Sequence, residues 1–368
     1  MKIAQVVCAY PPYNSGIGTS AKKLQDILQK ENDSFVFTTE RKDDGGNKDK
    51  VIRVKSFLKL GNGAVLFRLF KELKKFDLIY FHFPFFGTSL IIYLFKILNK
   101  DKKLIIHYHM DVKQKNIIFK ILSLPEEIIK NYLFKKADKI ICASFDYIKN
   151  SKLKNYYKKY PEKFIEIPFF VNKNDFYPNE EKKRNKNKKQ ILFVGGLDKA
   201  HYFKGLEILI KAFSEAKIEN TELVICGEGE LKNDYQKLTK KINIEDKVVF
   251  SGRLSFEELK EAYQMADVLI LPSINSNEAF GIVLIEAMAS KTTVIASNLP
   301  GVRSVFENNI SGLITEVNDI NDLKEKIEKI INNDKLREEM EENAYQLFLK
   351  KYEEKVIENK ILESIKLI

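Results

Sequence analysis

Glu278 and Glu286 bracket a Phe280-Gly281-Ile282 segment at the mouth of an apolar helical run, Ile282-Val283-Leu284-Ile285. A helix start leaves backbone N–H groups without intrahelical acceptors, so this segment offers Gly281 and Ile282 as donors to a phosphate. The two carboxylates can hold hydroxyl groups on either side of that anion. A second group of polar residues follows the run Leu104-Ile105-Ile106: His107, His109 and Asp111. Alternation along a strand puts both histidines on one face, and only nearness to the strand's end favours His109 over His107. Glycines Gly16 and Gly18 lie between an opening apolar strand and a helix expected near Thr19, where a backbone can come close to a ligand.

The elements that must position these residues follow an α/β rhythm. Val268–Leu271 reads as a strand ended by Pro272, and Thr293–Ser297 reads as the next one, so the glutamate segment sits at the carboxyl end of a strand in a strand, loop, helix, strand unit. In the first half, strand-like runs at Lys2–Ala9, Phe35–Thr38, Leu78–Phe81, Leu104–His109, Lys139–Ala143 and Phe164–Ile167 alternate with helical segments, the pattern of a parallel sheet with crossover helices. A lysine-rich polar stretch over 179–189 reads as a linker, after which the rhythm restarts at Gln190. A chain of 368 residues exceeds what one core usually supports, so two domains are expected: 1–178 and 190–351.

In its motifs the chain resembles the GT-B glycosyltransferases of family 4, whose signature is Glu-x-Phe-Gly-x-x-x-x-Glu, here Glu278 to Glu286. Phe193-Val194-Gly195-Gly196-Leu197 with Lys204-Gly205 is similar to that family's donor-phosphate loop, and Val224-Ile225-Cys226-Gly227-Glu228-Gly229 to the strand and turn that follow it. Ala266-Asp267-Val268 to Ser273 and Leu299-Pro300-Gly301 extend the likeness, which is close from about Ile191 to Ile314.

The resemblance implies an α/β fold of two Rossmann-like domains with parallel sheets facing across a cleft, the end of the chain, about 352–368, packing back on the first domain. It implies a retaining enzyme that moves a sugar from a nucleotide diphosphate sugar, with UDP- or GDP-sugar as donor substrate and no other cofactor. Glu286 would accept hydrogen bonds from the ribose. Glu278 would stand beside the transferred sugar, and His109 beside the reacting centre. Lys204, with Lys199 as second candidate, would neutralise the leaving diphosphate, while Gly16, Gly18, Gly196, Gly227, Phe280, Gly281 and Ile282 would line the donor. Family members often carry arginine where this chain has Gly196, and more often read Gly-Gly where it has Ser15-Gly16. Metal independence is expected as well, because no Asp-x-Asp motif occurs. A non-catalytic nucleotide-sugar-binding scaffold and a sugar-nucleotide 2-epimerase are the alternatives.

Composition narrows partners more than chemistry. The net charge of +11 divides into roughly +18 over residues 1–188 and roughly −7 over the rest. The basic half suits an anionic membrane surface or a polyphosphate-linked acceptor, such as a glycolipid or polysaccharide precursor, and equally a merely solvated surface. Nucleic acid is disfavoured for want of a recognised module. Lys59–Lys75 reads as a basic amphipathic helix that could pack on the core or lie on a membrane. Leu78–Leu98 reads as a strand, a loop over Phe83–Ser89 and a helix over Leu90–Leu98, because Pro84, Gly87, His82 and Lys96 interrupt it. Three cysteines, Cys8, Cys142 and Cys226, make no disulfide framework, and the opening residues form a buried strand rather than a secretory signal, so a cytoplasmic location is expected.

Overall fold

The computed structural model describes residues 1–13, 15–41, 50–111, 128–179 and 188–368. Compactness divides the chain into two units: Met1–Pro168 with Glu358–Ile368, and Phe169–Ile357. Most of the expected linker, 180–187, lies outside the described residues.

The first unit holds a seven-stranded parallel sheet built from β1 (Lys2–Val6), β2 (Asp33–Thr39), β3 (Val51–Val54), β6 (Leu78–Phe83), β7 (Lys103–Tyr108), β8 (Lys139–Cys142) and β9 (Phe164–Glu166). A separate antiparallel hairpin pairs β4 (Leu58–Leu60) with β5 (Gly63–Val65). The sheet order is β3-β2-β1-β6-β7-β8-β9, so the chain winds one way from β1 and returns to wind the other way from β6. That reversal makes the gap beyond β1 and β6 the switch point at which open parallel sheets bind ligands.

The second unit repeats the plan. Strands β10 (Lys189–Val194), β11 (Thr221–Cys226), β12 (Val248–Gly252), β13 (Val268–Leu271), β14 (Thr293–Ser297) and β15 (Leu313–Thr315) stand in the order β12-β11-β10-β13-β14-β15, all parallel. Its switch point lies between β10 and β13. Every residue of β13 is buried, as expected for a central strand covered on both faces. On one face Ile191, Phe193, Ile225 and Ile270 pack with Leu209, Phe213 and Ile327 from the helices Leu206–Glu215 and Ile320–Ile331. The chain closes with helices Asp334–Lys351 and Glu354–Lys366; the second carries Glu358, whose carboxylate takes Lys30 at 2.7 Å.

Three local expectations need correction. Lys59–Lys75 is not one helix. Gly61-Asn62-Gly63 breaks it, with Gly61 at φ +59, and the residues form the β4–β5 hairpin, a four-residue helix Leu69–Glu72 and one 3₁₀ turn, Leu73–Lys75. The opening helix starts at Gly16 rather than near Thr19, because the Ser15 side chain accepts from the Gly18 N–H at 2.9 Å and caps it there. The helix Thr88–Leu98 likewise begins earlier than Leu90, entered through Gly87 at φ +82. Among the described residues no helix is long and apolar enough to cross a membrane. All three cysteines are buried and unbridged, and burial pushes the Cys8 and Cys226 thiols up to about 11.

Candidate functional site

In the second unit the polar residues singled out by spacing gather at the carboxyl ends of β10, β11 and β13. After β10 the chain runs through Gly195-Gly196 and reaches the 3₁₀ turn Tyr202–Lys204, which swings the Lys204 side chain back across the loop. Its ammonium donates to Glu278 Oε2 at 3.0 Å, and both side chains are largely buried, at 15% and 12% exposure. Glycine is required beneath this lysine: a Cβ on Gly195 would stand 2.5 Å from Lys204 Cδ. Gly227, after β11, is demanded by a still closer approach, since its Cβ would lie 1.8 Å from the Gly195 carbonyl oxygen. The loops after β10 and β11 are thereby pressed together. Gly196 sits over His201, whose Nδ1 contacts the Asp198 carboxylate at 2.8 Å.

After β13, Pro272 and Ser273 lead to Glu278, and Ser273 Oγ stands 3.5 Å from the same Glu278 oxygen that holds Lys204. Glu278 does not cap the helix. Gly281 occupies the N-cap at φ +86, a left-handed conformation natural to glycine, and starts the helix Ile282–Ala289. Ile282 and Val283 therefore present their N–H groups at the helix mouth, where the macrodipole also favours an anion. Further along that helix, Glu286 accepts from the Tyr263 hydroxyl at 2.6 Å. Burial, followed by the Glu286 carboxylate, holds the Tyr263 phenol well above its ordinary range, so it stays protonated and acts as a fixed donor.

Phe280, between the two glutamates, turns inward. It is buried, with its ring in edge contact with Phe169 at 5.3 Å and with Tyr352 at 5.9 Å. These partners belong to the two segments of this unit nearest the chain's crossing points, tied to each other by Val171 N–H to the Tyr352 carbonyl at 3.1 Å. Lys199 is not gathered with Lys204. It is 77% exposed and reaches only Glu230, at 3.8 Å, a contact worth little in water.

In the first unit the switch point collects the loop after β1, the end of β6 and the end of β7. His109 follows β7 directly and continues its ladder by donating its N–H to the Phe83 carbonyl at 3.0 Å. Its ring stacks on His107 with centroids 4.3 Å apart, and His82 of β6 stacks on it at 5.1 Å. The three imidazoles form a buried cluster.

Hydrogen bonding fixes their protons. Gln5 Nε2 donates to the Ala21 carbonyl at 3.0 Å, which turns Gln5 Oε1 toward His82 Nε2 at 2.7 Å. An amide oxygen only accepts, so the hydrogen resides on His82 Nε2. Burial, then the neighbouring His107, pushes the His82 pKa far down and keeps it neutral, leaving Nδ1 as an acceptor. That atom lies 2.8 Å from His109 Nε2, which must then carry the proton. His109 is likewise held neutral by burial, with His107 and His82 adding to the effect, so its Nδ1 is the basic, hydrogen-bond-accepting nitrogen.

A separation of 2.8 Å fits a shared proton better than two ligands of one tetrahedral ion, which at metal–nitrogen distances of about 2.0 Å stand roughly 3.3 Å apart. Asp111, next in the motif, is occupied structurally: its carboxylate takes the Tyr108 hydroxyl and the Lys152 N–H, the latter at 2.9 Å. Gly18 packs against Ala9 and Ser15, whereas a Cβ on Gly16 would meet nothing within 4 Å.

Ser273, Tyr263, His82 and Gln5 are functional neighbours that sequence reasoning passed over. For Tyr263 the available signal was a tyrosine on the buried face of the helix Phe256–Met265, whose hydroxyl needs a partner. For Gln5 it was an amide within an otherwise apolar central strand.

Comparisons with known proteins bear on the class of this chain. The family model described as glycosyl transferases group 1 matches residues 177–347, a span that contains Gly196, Lys204, Gly227, Glu278, Gly281 and Glu286. An uncharacterised glycosyltransferase of Methanocaldococcus jannaschii is 32% identical over 167 residues, which is 45% of this chain and 42% of that protein. The N-acetylgalactosamine-N,N'-diacetylbacillosaminyl-diphospho-undecaprenol 4-alpha-N-acetylgalactosaminyltransferase of Campylobacter jejuni is 34% identical over 157 residues, 42% of this chain and 41% of that one. The chain thus spans less than half the length of these curated relatives. Over its whole length it superposes on the Anabaena protein HepE, crystallised with UDP, with a TM-score of 0.77 at 18% identity, covering 100% of both chains. The fold is GT-B, with two Rossmann-like α/β units each built on a parallel sheet.

Proposed function

We propose that this chain is a retaining, metal-independent glycosyltransferase that moves a sugar from a nucleotide diphosphate sugar to a glycolipid or polysaccharide acceptor. The observation that carries the reading is the Lys204–Glu278 pair beside the helix mouth at Gly281, with Glu286 oriented by Tyr263 on the same helix. The diphosphate would lie on the N–H groups of Ile282 and Val283, with Lys204 facing the oxygen that departs. The ammonium has three hydrogens and Glu278 uses one, so it can meet a phosphate oxygen without leaving the carboxylate. Fixed cations and N–H donors of this sort stabilise charge as it builds on a leaving group. Glu286, its Oε2 held by Tyr263, would take the ribose hydroxyls, and Glu278 would bond the transferred sugar and steady its developing positive charge. His109 would stand next to the reacting sugar. In front-face transfer the bond from anomeric carbon to diphosphate oxygen breaks as the acceptor oxygen bonds to that carbon. The acceptor's proton passes to the departing phosphate oxygen, and configuration is retained.

A match of the group 1 family across the donor-side residues, and the names of the Methanocaldococcus and Campylobacter relatives, support sugar transfer. The UDP and UDP-glucose complexes of Anabaena HepE, a protein of the same fold, support a nucleotide-sugar donor. The diphospho-undecaprenol named in the Campylobacter relative supports a lipid-linked acceptor, and a cytoplasmic site of action at the membrane face is part of the same proposal. Incubation with a panel of UDP- and GDP-sugars in the absence of acceptor tests the reading. Slow hydrolysis of one donor, with release of the nucleoside diphosphate, is expected. An epimerised sugar would identify a 2-epimerase, and a raised melting temperature without turnover would identify a binding scaffold.

A further inference from the structure

In the first unit, four large apolar side chains stand in water within a few residues of one another: Phe57 at 79% exposure, Leu58 at 65%, Leu60 at 52% and Phe67 at 56%. They belong to the β4–β5 hairpin and its flanks; the rings of Phe57 and Phe67 touch at 5.3 Å, and Leu58 and Leu60 share one face of β4. The hairpin is fastened to the helix Thr88–Leu98 through Thr88 Oγ1 donating to the Ala64 carbonyl at 2.7 Å and Ala64 N–H to the Phe86 carbonyl at 2.9 Å.

That helix is apolar on two sides: Ile91, Ile92 and Phe95 are buried, and a second, leucine edge faces water. Its lysine, Lys96, is 8% exposed and turned inward to Asp138 at 3.1 Å, while Leu90, Leu94 and Leu98, one turn apart, are exposed at 40%, 41% and 71%. The outer edge of a helix covered only by solvent ordinarily carries polar residues instead. Around the hairpin the charge is of one sign. Between residues 55 and 75 stand Lys55, Lys59, Arg68, Lys71, Lys74 and Lys75 against the single carboxylate of Glu72, and all six cations are exposed.

We propose that the β4–β5 hairpin and the leucine edge of the helix Thr88–Leu98 form a docking surface for an anionic lipid bilayer. Phe57, Leu58 and Leu60 enter the headgroup boundary and the surrounding lysines and Arg68 meet lipid phosphates. Exposed aromatic and aliphatic side chains ringed by cations are the composition of an interfacial anchor, and a negative lipid surface attracts basic segments over a Debye length. The charge decides against a second copy of this chain as occupant, because two such basic rims would repel each other. This surface would bring a lipid-linked acceptor to the first unit, but its existence does not depend on the transferase reading: vesicle binding without donor binding keeps this inference and removes that one.

The chain contains no tryptophan, which gives the test its probe. A Leu58→Trp variant of the full chain is titrated with vesicles of phosphatidylcholine alone and of phosphatidylcholine containing about one third phosphatidylglycerol. The emission is expected to shift to the blue on the anionic vesicles only, with the shift reversed by high salt. An Ile310→Trp variant, carrying its probe at an exposed position of the second unit, is expected to stay unshifted. In the Leu58→Trp background, Lys71→Glu with Lys74→Glu should weaken vesicle binding at least about tenfold, as loss of two surface cations and gain of two anions requires. Absence of a shift on anionic vesicles would overturn the proposal. So would an equal shift on neutral vesicles, or a shift that grows with protein concentration without lipid, which would mark self-association instead.

Discussion

Tyr263 shows how much of a site can depend on a residue that no motif names. Its hydroxyl donates to Glu286 Oε2, so Tyr263→Phe removes one hydrogen bond that orients the carboxylate and leaves the rest of the helix in place. UDP affinity measured by calorimetry should fall by about fivefold, the worth of roughly 1 kcal/mol of lost orientation, with the fold intact. The histidine cluster offers a second test. Burial holds His82 and His109 well below the ordinary histidine range and brings His107 down to about 3. Below about pH 6.5 the unfolded chain takes up protons that the folded cluster refuses, so this stability is fully present above that pH and lost as pH falls toward the folded values. Each histidine contributes at most about 1.4 kcal/mol per pH unit. The melting temperature should therefore fall measurably between pH 7 and pH 5, above the range where carboxylates titrate, and an unchanged value would contradict the neutral cluster.

Loops, more than strands, set the geometry. The loop after β10 brings Lys204 back to Glu278 only because Gly195 has no side chain, so Gly195→Ala should push the lysine off its partner. The atoms it strikes are the methylenes of a flexible side chain, so unfolding free energy should change by no more than about 1 kcal/mol. Turnover should nevertheless drop by about 10²-fold, the scale of losing one fixed donor at a leaving group. A Gly195→Ala enzyme with full turnover would remove Lys204 from the proposed chemistry. Element scale is also where the sequence misleads. Continuous apolar runs such as Leu78–Phe81 and Val268–Leu271 mark buried strands because the signal is local. The stretch Lys59–Lys75 imitates an amphipathic helix in composition, yet Gly61-Asn62-Gly63 folds it into a hairpin whose apolar side chains face water. Helix starts were displaced for a similar reason: a single cap, Ser15 or Gly87, decides them, and caps are weaker signals than periodicity.

At the scale of the whole molecule, the α/β rhythm and its restart after the lysine-rich stretch made two parallel-sheet units legible before any coordinates. Glu278, Gly281, Glu286 and Lys204 stood out through the likeness of their segments to one family's motifs, and the structure brings Lys204 to Glu278. What the sequence could not disclose was contact between distant residues. Lys204 meets Glu278 across 74 positions and Gln5 meets His82 across 77, pairings that exist only once the sheet order β12-β11-β10-β13 and the order β1-β6-β7 are set. Nor could it show that Phe280, inside the signature, packs on Phe169 and Tyr352, or that Lys199 stays in solvent. Each unit places its own candidate residues at its own switch point.

The central claim is that the residues from 278 to 286, with Lys204, hold a nucleoside diphosphate by its pyrophosphate and its ribose. Calorimetric titration of UDP into the unaltered chain and into Glu286→Ala tests it most directly. Saturable binding by the unaltered chain, weakened at least about tenfold in the variant through loss of charge-assisted hydrogen bonds, is the expected result. Equal affinity in both would place the ribose elsewhere and contradict the account.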